Sequence, residues 1–455
     1  MWGVVPHSEP SPHKGSVRSV GRAPASRAAC GVLAVALAAA PLAACTGGGG
    51  PDMNGTGPIV FADGHDTSRG AQIRGLVNRW NASNPDERVE MVELSEYNGD
   101  HRAQLVTSAQ DAATAARGGG AGSRPGFDPG CYDVVALDVI WTAEFARWNY
   151  IVPLDEKAVG HRAFMRGPIE SARYRGRLWG VPLRTDVGLL YYRKDVLDAE
   201  GLAPPRTWAE LRHQARTVAP RHNLQGFVTQ LGRYEGFTVN TLESIWDTGG
   251  TVVTSGGEIQ ARPQVIEKGF ARLVQGVQEG WIPRDALGFN EEGARSAFED
   301  GRALFMRNWT YAHGLLNAGD SPVAGKVGVA RLPTPSALGG WNLALSTCSE
   351  RRRTALRFMR FMSSEASERV IFDAAGFAPA RKALYDDPAL RHSQPHLRIL
   401  RETVEGARNR GPSPYYDQIS GTFQARLHDV LSRPDGLRDG LDGLAADVYR
   451  AADGR

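Results

Sequence analysis

Five short stretches put an aromatic ring beside a polar or charged group where no helix face accounts for it. They are Leu137-Asp138-Val139-Ile140-Trp141, Arg233-Tyr234-Glu235-Gly236, Ile245-Trp246-Asp247, Asn308-Trp309-Thr310-Tyr311 and Gly339-Gly340-Trp341-Asn342. A flat ring covers an apolar face, while Asp, Glu, Asn and Arg hydrogen-bond a rim of hydroxyls. That combination suits a sugar, which has apolar C–H faces and hydroxyl edges. A core tryptophan is the plain alternative for each of them.

Enzyme chemistry leaves no comparable trace. The chain has no GxGxxG after a strand, no Walker loop, no HExxH, no GxSxG and no CxxC, so no catalytic or cofactor residue is assigned. Of the nine histidines after Cys45, only His392 and His396 stand at i, i+4, and Pro395 between them argues against the helix that would make them joint metal ligands.

At 455 residues, 42% apolar and 23% charged, the chain holds enough sequence for two or three globular domains. Its formal charge of +3 arises before Cys45; after it, 49 cationic residues face 49 anionic ones. The one tight basic cluster, Arg351 to Arg353, is too small for a nucleic-acid or anionic-membrane footprint.

The first 45 residues have the parts of a secretory signal: a basic stretch to Arg27, an apolar run from Ala28 to Ala44, and small residues before a cleavage point. The run falls short of the roughly 20 residues a spanning helix needs. Leu42-Ala43-Ala44-Cys45 resembles the lipobox of bacterial lipoproteins, in which the Cys thiol is diacylated and becomes the new N-terminus. Residues 46–57 then read as a flexible Gly-rich tether. Cys131 and Cys348 remain in the exported chain, where a disulfide and two buried thiols are both open.

The elements that would position the aromatic and polar groups follow an α/β order. Ile59-Val60-Phe61 reads as a strand, Ile73, Leu76, Val77 and Trp80 as one helix face, Val89–Leu94 and Tyr132–Leu137 as further strands. Arg117 to Gly130 reads as a surface loop, and Thr207 with Glu210 as a capping box. Helix faces recur at Val265–Val277 and Leu356–Met362, and strands alternate with helices to about residue 390. No linker breaks the composition, so two lobes joined by several chain crossings are expected.

The motifs LDVIWTAEFA (137–146), VPLRTDVGLLYYRKDVL (181–197), RYEGFTVNTLESIWDTGG (233–250), ALFMRNWTYA (303–312), LGGWNLALS (338–346) and RFMRFMSSEAS (357–367) occur in that order. Together they resemble the family 1 extracellular solute-binding proteins of ABC sugar importers, nearest the branch that binds trehalose, maltose and related α-glucosides. The resemblance implies a two-lobed periplasmic-binding-protein type II fold, like maltose-binding protein, with a hinge of crossing strands near Val187, Leu332-Pro333 and Gly376–Pro379. It implies an N-terminal lobe of 58–187 and 332–378 and a C-terminal lobe of 188–331 and 379–455.

It also implies a non-catalytic, monomeric receptor, lipid-anchored at Cys45 on the outer face of the cell membrane, that passes a sugar to ABC permease transmembrane subunits. No cofactor, metal or nucleic acid is implied. The ligand-binding residues carried over are Asp138, Trp141, Arg184, Tyr234, Glu235, Trp246, Trp309, Tyr311, Gly340, Trp341 and Arg410. Arg184 stands where many relatives have a small polar residue, which leaves open a surface ion pair or a preference for a more polar or acidic sugar. Two rivals are an exported glycoside hydrolase using Asp138 and Glu235 as its carboxylate pair, and an envelope lipoprotein sharing the fold without a ligand.

Overall fold

The computed structural model describes residues 53–65, 71–117, 130–433 and 437–454. The expected signal, Cys45, most of the tether and most of the Arg117-to-Gly130 loop lie outside the described residues. Strands β1 (Ile59–Gly64), β2 (Val89–Leu94) and β3 (Val134–Asp138) are followed by a short hairpin, β4 (Arg173–Tyr174) with β5 (Arg177–Leu178). Next come β6 (Val181–Val187), β7 (Leu189–Arg193), β8 (Gln225–Val228), β9 (Ala303–Asn308), β10 (Val327–Arg331) and β11 (Leu338–Leu345).

Two sheets form from these strands. The first has the order β2-β1-β3-β11-β6, the second β10-β7-β9-β8. In the first, β1 runs parallel to β2 and β3, while β11 returns antiparallel between β3 and β6. Strands β1, β3 and β6 are buried along their whole lengths, as expected where helices cover both sheet faces. The helix Gln72–Ser83 turns Ile73, Leu76, Val77 and Trp80 inward, and Trp80 meets the rings of Phe358 and Phe361 at 5.5 and 5.6 Å. Each such ring removed from water contributes about 2–3 kcal/mol. Phe227, Phe237, Phe270 and Phe305 fill the equivalent core beside the second sheet.

The sheets are joined by crossings. Gly188 alone separates β6 of the first sheet from β7 of the second, and its amide donates to Ser336 Oγ at 2.6 Å. Residues 332–337 carry the chain back from β10 to β11. At a third place the Thr185 amide donates to the Ala378 carbonyl at 3.2 Å. Asp186 Oδ1 ties this region together, accepting from the amide and hydroxyl of Thr310, both at 2.8 Å, and from the Val187 amide at 2.9 Å. Thr310 Oγ1 also accepts from the Ala378 amide at 3.2 Å.

Two expectations need correction. No strand follows β11 among the described residues, because the apolar spacing beyond it is helical throughout, with Thr354, Ala355, Phe358, Met359 and Met362 on one face. At the Thr207 cap, Thr207 Oγ1 accepts from the Glu210 amide at 3.1 Å, but the Glu210 carboxylate reaches the Arg206 amide instead of that of Thr207. Cys131 and Cys348 form a disulfide with a Cα separation of 5.9 Å, fastening the approach to β3 to the segment after β11. No helix among the described residues is long and apolar enough to cross a membrane.

Candidate ligand site

Strand register builds the first wall. Trp341 of β11 stands opposite Asp138 of β3 on one side and Arg184 of β6 on the other. Directly opposed residues of antiparallel strands share a sheet face, so three separated motifs arrive as one row. Gly340 makes the row possible: its φ is 115°, and a Cβ there would lie 2.4 Å from the Arg184 carbonyl oxygen.

Around Trp341 the rings are crowded. His101, from the helix Asn98–Arg117, stacks on it with centroids 5.0 Å apart, and Trp141 meets it edge-on at 5.6 Å. The Arg184 guanidinium lies 5.1 Å from the Trp341 centroid and 5.5 Å from that of Phe377. Arg184 is not on the surface. It is 9% exposed and donates through Nη1 and Nη2 to both oxygens of Asp63, at 2.9 and 3.1 Å. Its charge is thus already balanced, which removes the reason to expect an acidic ligand.

Beside this group lies a cavity of about 150 Å³ lined by Gly64, His65, Ser95, His101, Arg184, Trp341 and Phe377. Burial pushes the His101 imidazole down to about 4, with Arg184 adding to the shift and Asp63 opposing it, so the ring is neutral at neutral pH. His101 Nε2, Trp141 Nε1 and Arg184 Nε find no hydrogen-bond partner among the described residues. Unpaired buried donors and acceptors are costly unless water or a ligand meets them.

Arg410 joins the row through Asp138. Its Nη2 donates to Asp138 at 3.2 Å and to the Leu338 carbonyl at 3.4 Å, while its Nη1 donates to Glu235 at 2.6 Å. Glu235 begins the helix Glu235–Asp247 and also accepts from the Tyr416 and Ser420 hydroxyls, at 2.8 and 2.5 Å. Asn98 donates to the other Asp138 oxygen at 2.9 Å. Burial raises the Glu235 carboxyl against the pull of Arg410. Burial likewise works against the Arg410 charge, yet Asp138 and Glu235 outweigh it and hold the guanidinium firmly protonated. Arg410 therefore links a strand of the first sheet to a helix packed beside the second.

A second wall follows β9. The Arg307 guanidinium lies 4.0 Å from the Trp309 ring centroid, and Trp309 Nε1 donates to Glu291 at 3.1 Å. Tyr234 donates to the other Glu291 oxygen, and Tyr311 to Glu292, both at 2.8 Å. Tyr311 packs on Phe377 at 6.0 Å, so this wall and the cavity share a ring. A Cβ at Gly339 would come within 3.1 Å of Trp309, a measure of how closely the walls approach.

Trp246 is not brought to this cluster. It lies eleven residues beyond Glu235 on the same helix, about 16 Å away by helical rise, inside a hydrophobic core with Arg408 4.8 Å from its ring centroid. His101 and Asp63, by contrast, belong to the cluster and carried no motif. A signal for Asp63 did exist: a lone carboxylate in an apolar strand requires a buried partner, and Arg184 is the lone cation of another such strand.

Residues 64–369 match the bacterial extracellular solute-binding proteins. The chain belongs to that family. This solute-binding protein is 29% identical over 335 residues to a "Probable ABC transporter-binding protein" of Deinococcus radiodurans, covering 70% of this chain and 79% of that one. Among solved structures it is similar to the maltose-bound MalE3 of T. maritima, with 30% identity, a TM-score of 0.76, and 86% of this chain and 99% of that one covered. The GacH receptor of Streptomyces glaucescens shares the fold at 21% identity and a TM-score of 0.72, over 87% of this chain and 98% of that one. Its fold is thus the two-lobed one of maltose-binding proteins, and its relatives are transport-binding proteins rather than enzymes.

Proposed function

We propose that this solute-binding protein captures a sugar, a disaccharide such as maltose or trehalose, and delivers it to the transmembrane subunits of an ABC permease. The lobes are 58–187 with 332–378 and 188–331 with 379–455, and binding favours the closed arrangement through contacts made to both. The observation that carries this reading is the row Asp138, Trp341 and Arg184 beside a cavity of single-ring size. A ring stacked at Trp341 has His101 and Ser95 for its hydroxyls, and a second ring extends past Phe377 towards Tyr311 and Trp309. The maltose-bound relative supports this ligand class. Trp141, Tyr234, Glu235, Gly340 and Arg410 support these contacts instead of making all of them. The mature chain begins at a diacylated Cys45 and works as a monomer on the outer face of the cell membrane.

A thermal-shift panel of maltose, trehalose, maltotriose, mannitol and a glycerophosphodiester tests the proposal. A ligand selective for the folded state raises apparent stability by RT ln(1 + [L]/Kd). A shift with an α-glucoside and none with the phosphodiester is expected; no shift with any carbohydrate overturns it.

A further inference from the structure

The first described residues are fastened to the domain. Met53 packs against the core beside the first sheet. The Arg353 amide donates to the Gly55 carbonyl at 2.9 Å, and the Gly57 amide donates to Thr354 Oγ1 at 3.2 Å. The incoming chain therefore meets the start of the helix Arg352–Met362.

That helix contains no Asp or Glu, and its exposed face repeats Arg353, Arg357 and Arg360 at i, i+4 and i+7. Arg357 pairs with Glu87 at 2.5 Å, and Arg351 lies 3.4 Å from Glu350. The side chains of Arg353 and Arg360 have no hydrogen-bond or ion-pair partner among the described residues. Folding thus enlarges a cluster that in the sequence alone is too small for a membrane footprint, and sets it where the tether arrives.

We infer that this arginine face rests on the anionic headgroups of the membrane to which the chain is tethered, and so orients the protein above it. The inference depends on the anchor at Cys45 proposed above. Met53 is eight residue steps beyond Cys45, at most about 28 Å fully extended, so this end of the domain stays close to the lipid surface. A negative leaflet favours each nearby arginine by about fivefold in affinity, within a Debye length of about 10 Å. The exported chain as a whole is balanced in charge, so the remainder is net negative and the attraction is confined to this face.

The chain from Thr46 onward keeps every described residue and the compact unit that starts at Pro51. Without any lipid, it is sedimented with phosphatidylcholine vesicles containing about 30% phosphatidylglycerol, and with pure phosphatidylcholine vesicles, at low salt. Partitioning onto the anionic vesicles only, lost in about 0.5 M salt and reduced at least tenfold in the Arg353→Glu, Arg360→Glu double variant, is the expected result. Retained sugar-induced stabilisation in that variant shows that its fold survives, and Arg353→Gln with Arg360→Gln gives a second, milder reading. Equal partitioning of wild type and both variants, or none onto either vesicle, overturns the inference. Because no lipid is attached in this assay, its failure leaves the anchor standing, and failure of the anchor is read separately from Cys45→Ala in cells.

Discussion

Trp341 lies nearly flat against His101, with ring centroids 5.0 Å apart and planes 18° from parallel. The histidine is 1% exposed and neutral at neutral pH, so its uncharged ring backs the indole and holds it in one orientation.

Trp341→Ala removes the platform. Sugar affinity falls about thirtyfold or more, matching the ~2–3 kcal/mol of a lost aromatic contact, while His101→Ala costs less because the indole remains. Titration calorimetry on both variants checks the order. Equal losses would contradict the platform role.

Among the described residues, Arg410 is the one cation that bridges Asp138 and Glu235. Arg410→Leu leaves two carboxylates buried without it, and unfolding in urea is expected about 3–5 kcal/mol easier. Adding Glu235→Gln and Asp138→Asn recovers most of that loss, whereas a simple cavity effect would persist in the triple variant.

Asp186 is buried, and burial raises its carboxyl to about 7 against its bonds from Thr310 and Val187. Its ordinary value is 3.8. Below about pH 4 the group is protonated folded or unfolded and costs nothing; between 4 and 7 the folded state binds the extra proton, so stability falls as pH rises. Asp186→Asn keeps an acceptor for Thr310 and removes this slope. Urea melts at pH 4, 5.5, 7 and 8 should show the variant gaining on wild type by up to about 3–4 kcal/mol across that window. The opposite slope from His101 cancels in the difference. A constant difference would refute the assignment.

The disulfide closes a loop of 217 residues. Cys131→Ser with Cys348→Ser should lower stability by about 3–5 kcal/mol through the larger entropy of the unfolded chain, with sugar affinity unchanged, since neither cysteine lines the cavity. Denaturant unfolding and calorimetry on the same sample read both quantities.

Cys45→Ala is expected to release the protein into the medium or leave its signal uncleaved. Fractionation with an antibody decides it; unchanged membrane retention and processing would remove the anchor from the proposal.

Much of the fold was legible because period and burial agree. Ile73, Leu76, Val77 and Trp80 mark a helix face without help from distant residues, and the apolar runs of β1 and β3 mark strands that helices must cover. The site was legible in part. Asp138 and Trp341 stand in long ordered motifs and Arg410 follows from the resemblance those motifs carry, but what joins the three is strand register and a side chain from 272 residues away, and neither is local. His101 lies on a helix of weak amphipathic pattern and gains its place only when β11 sets Trp341 opposite Asp138. Trp246 shows the converse: an aromatic residue beside an Asp reads the same whether it faces a core or a cleft.

Gly188 alone joins β6 to β7. One residue between strands of different sheets supplies two soft dihedrals, and a Cβ there would come within 2.6 Å of the Arg307 guanidinium. A joint with so little chain to spare can swivel but has no slack to slide. In the closure proposed above the lobes then move like the blades of a pair of tongs: separation at the pivot is fixed, and a few degrees of rotation there become several ångströms of travel at the mouth.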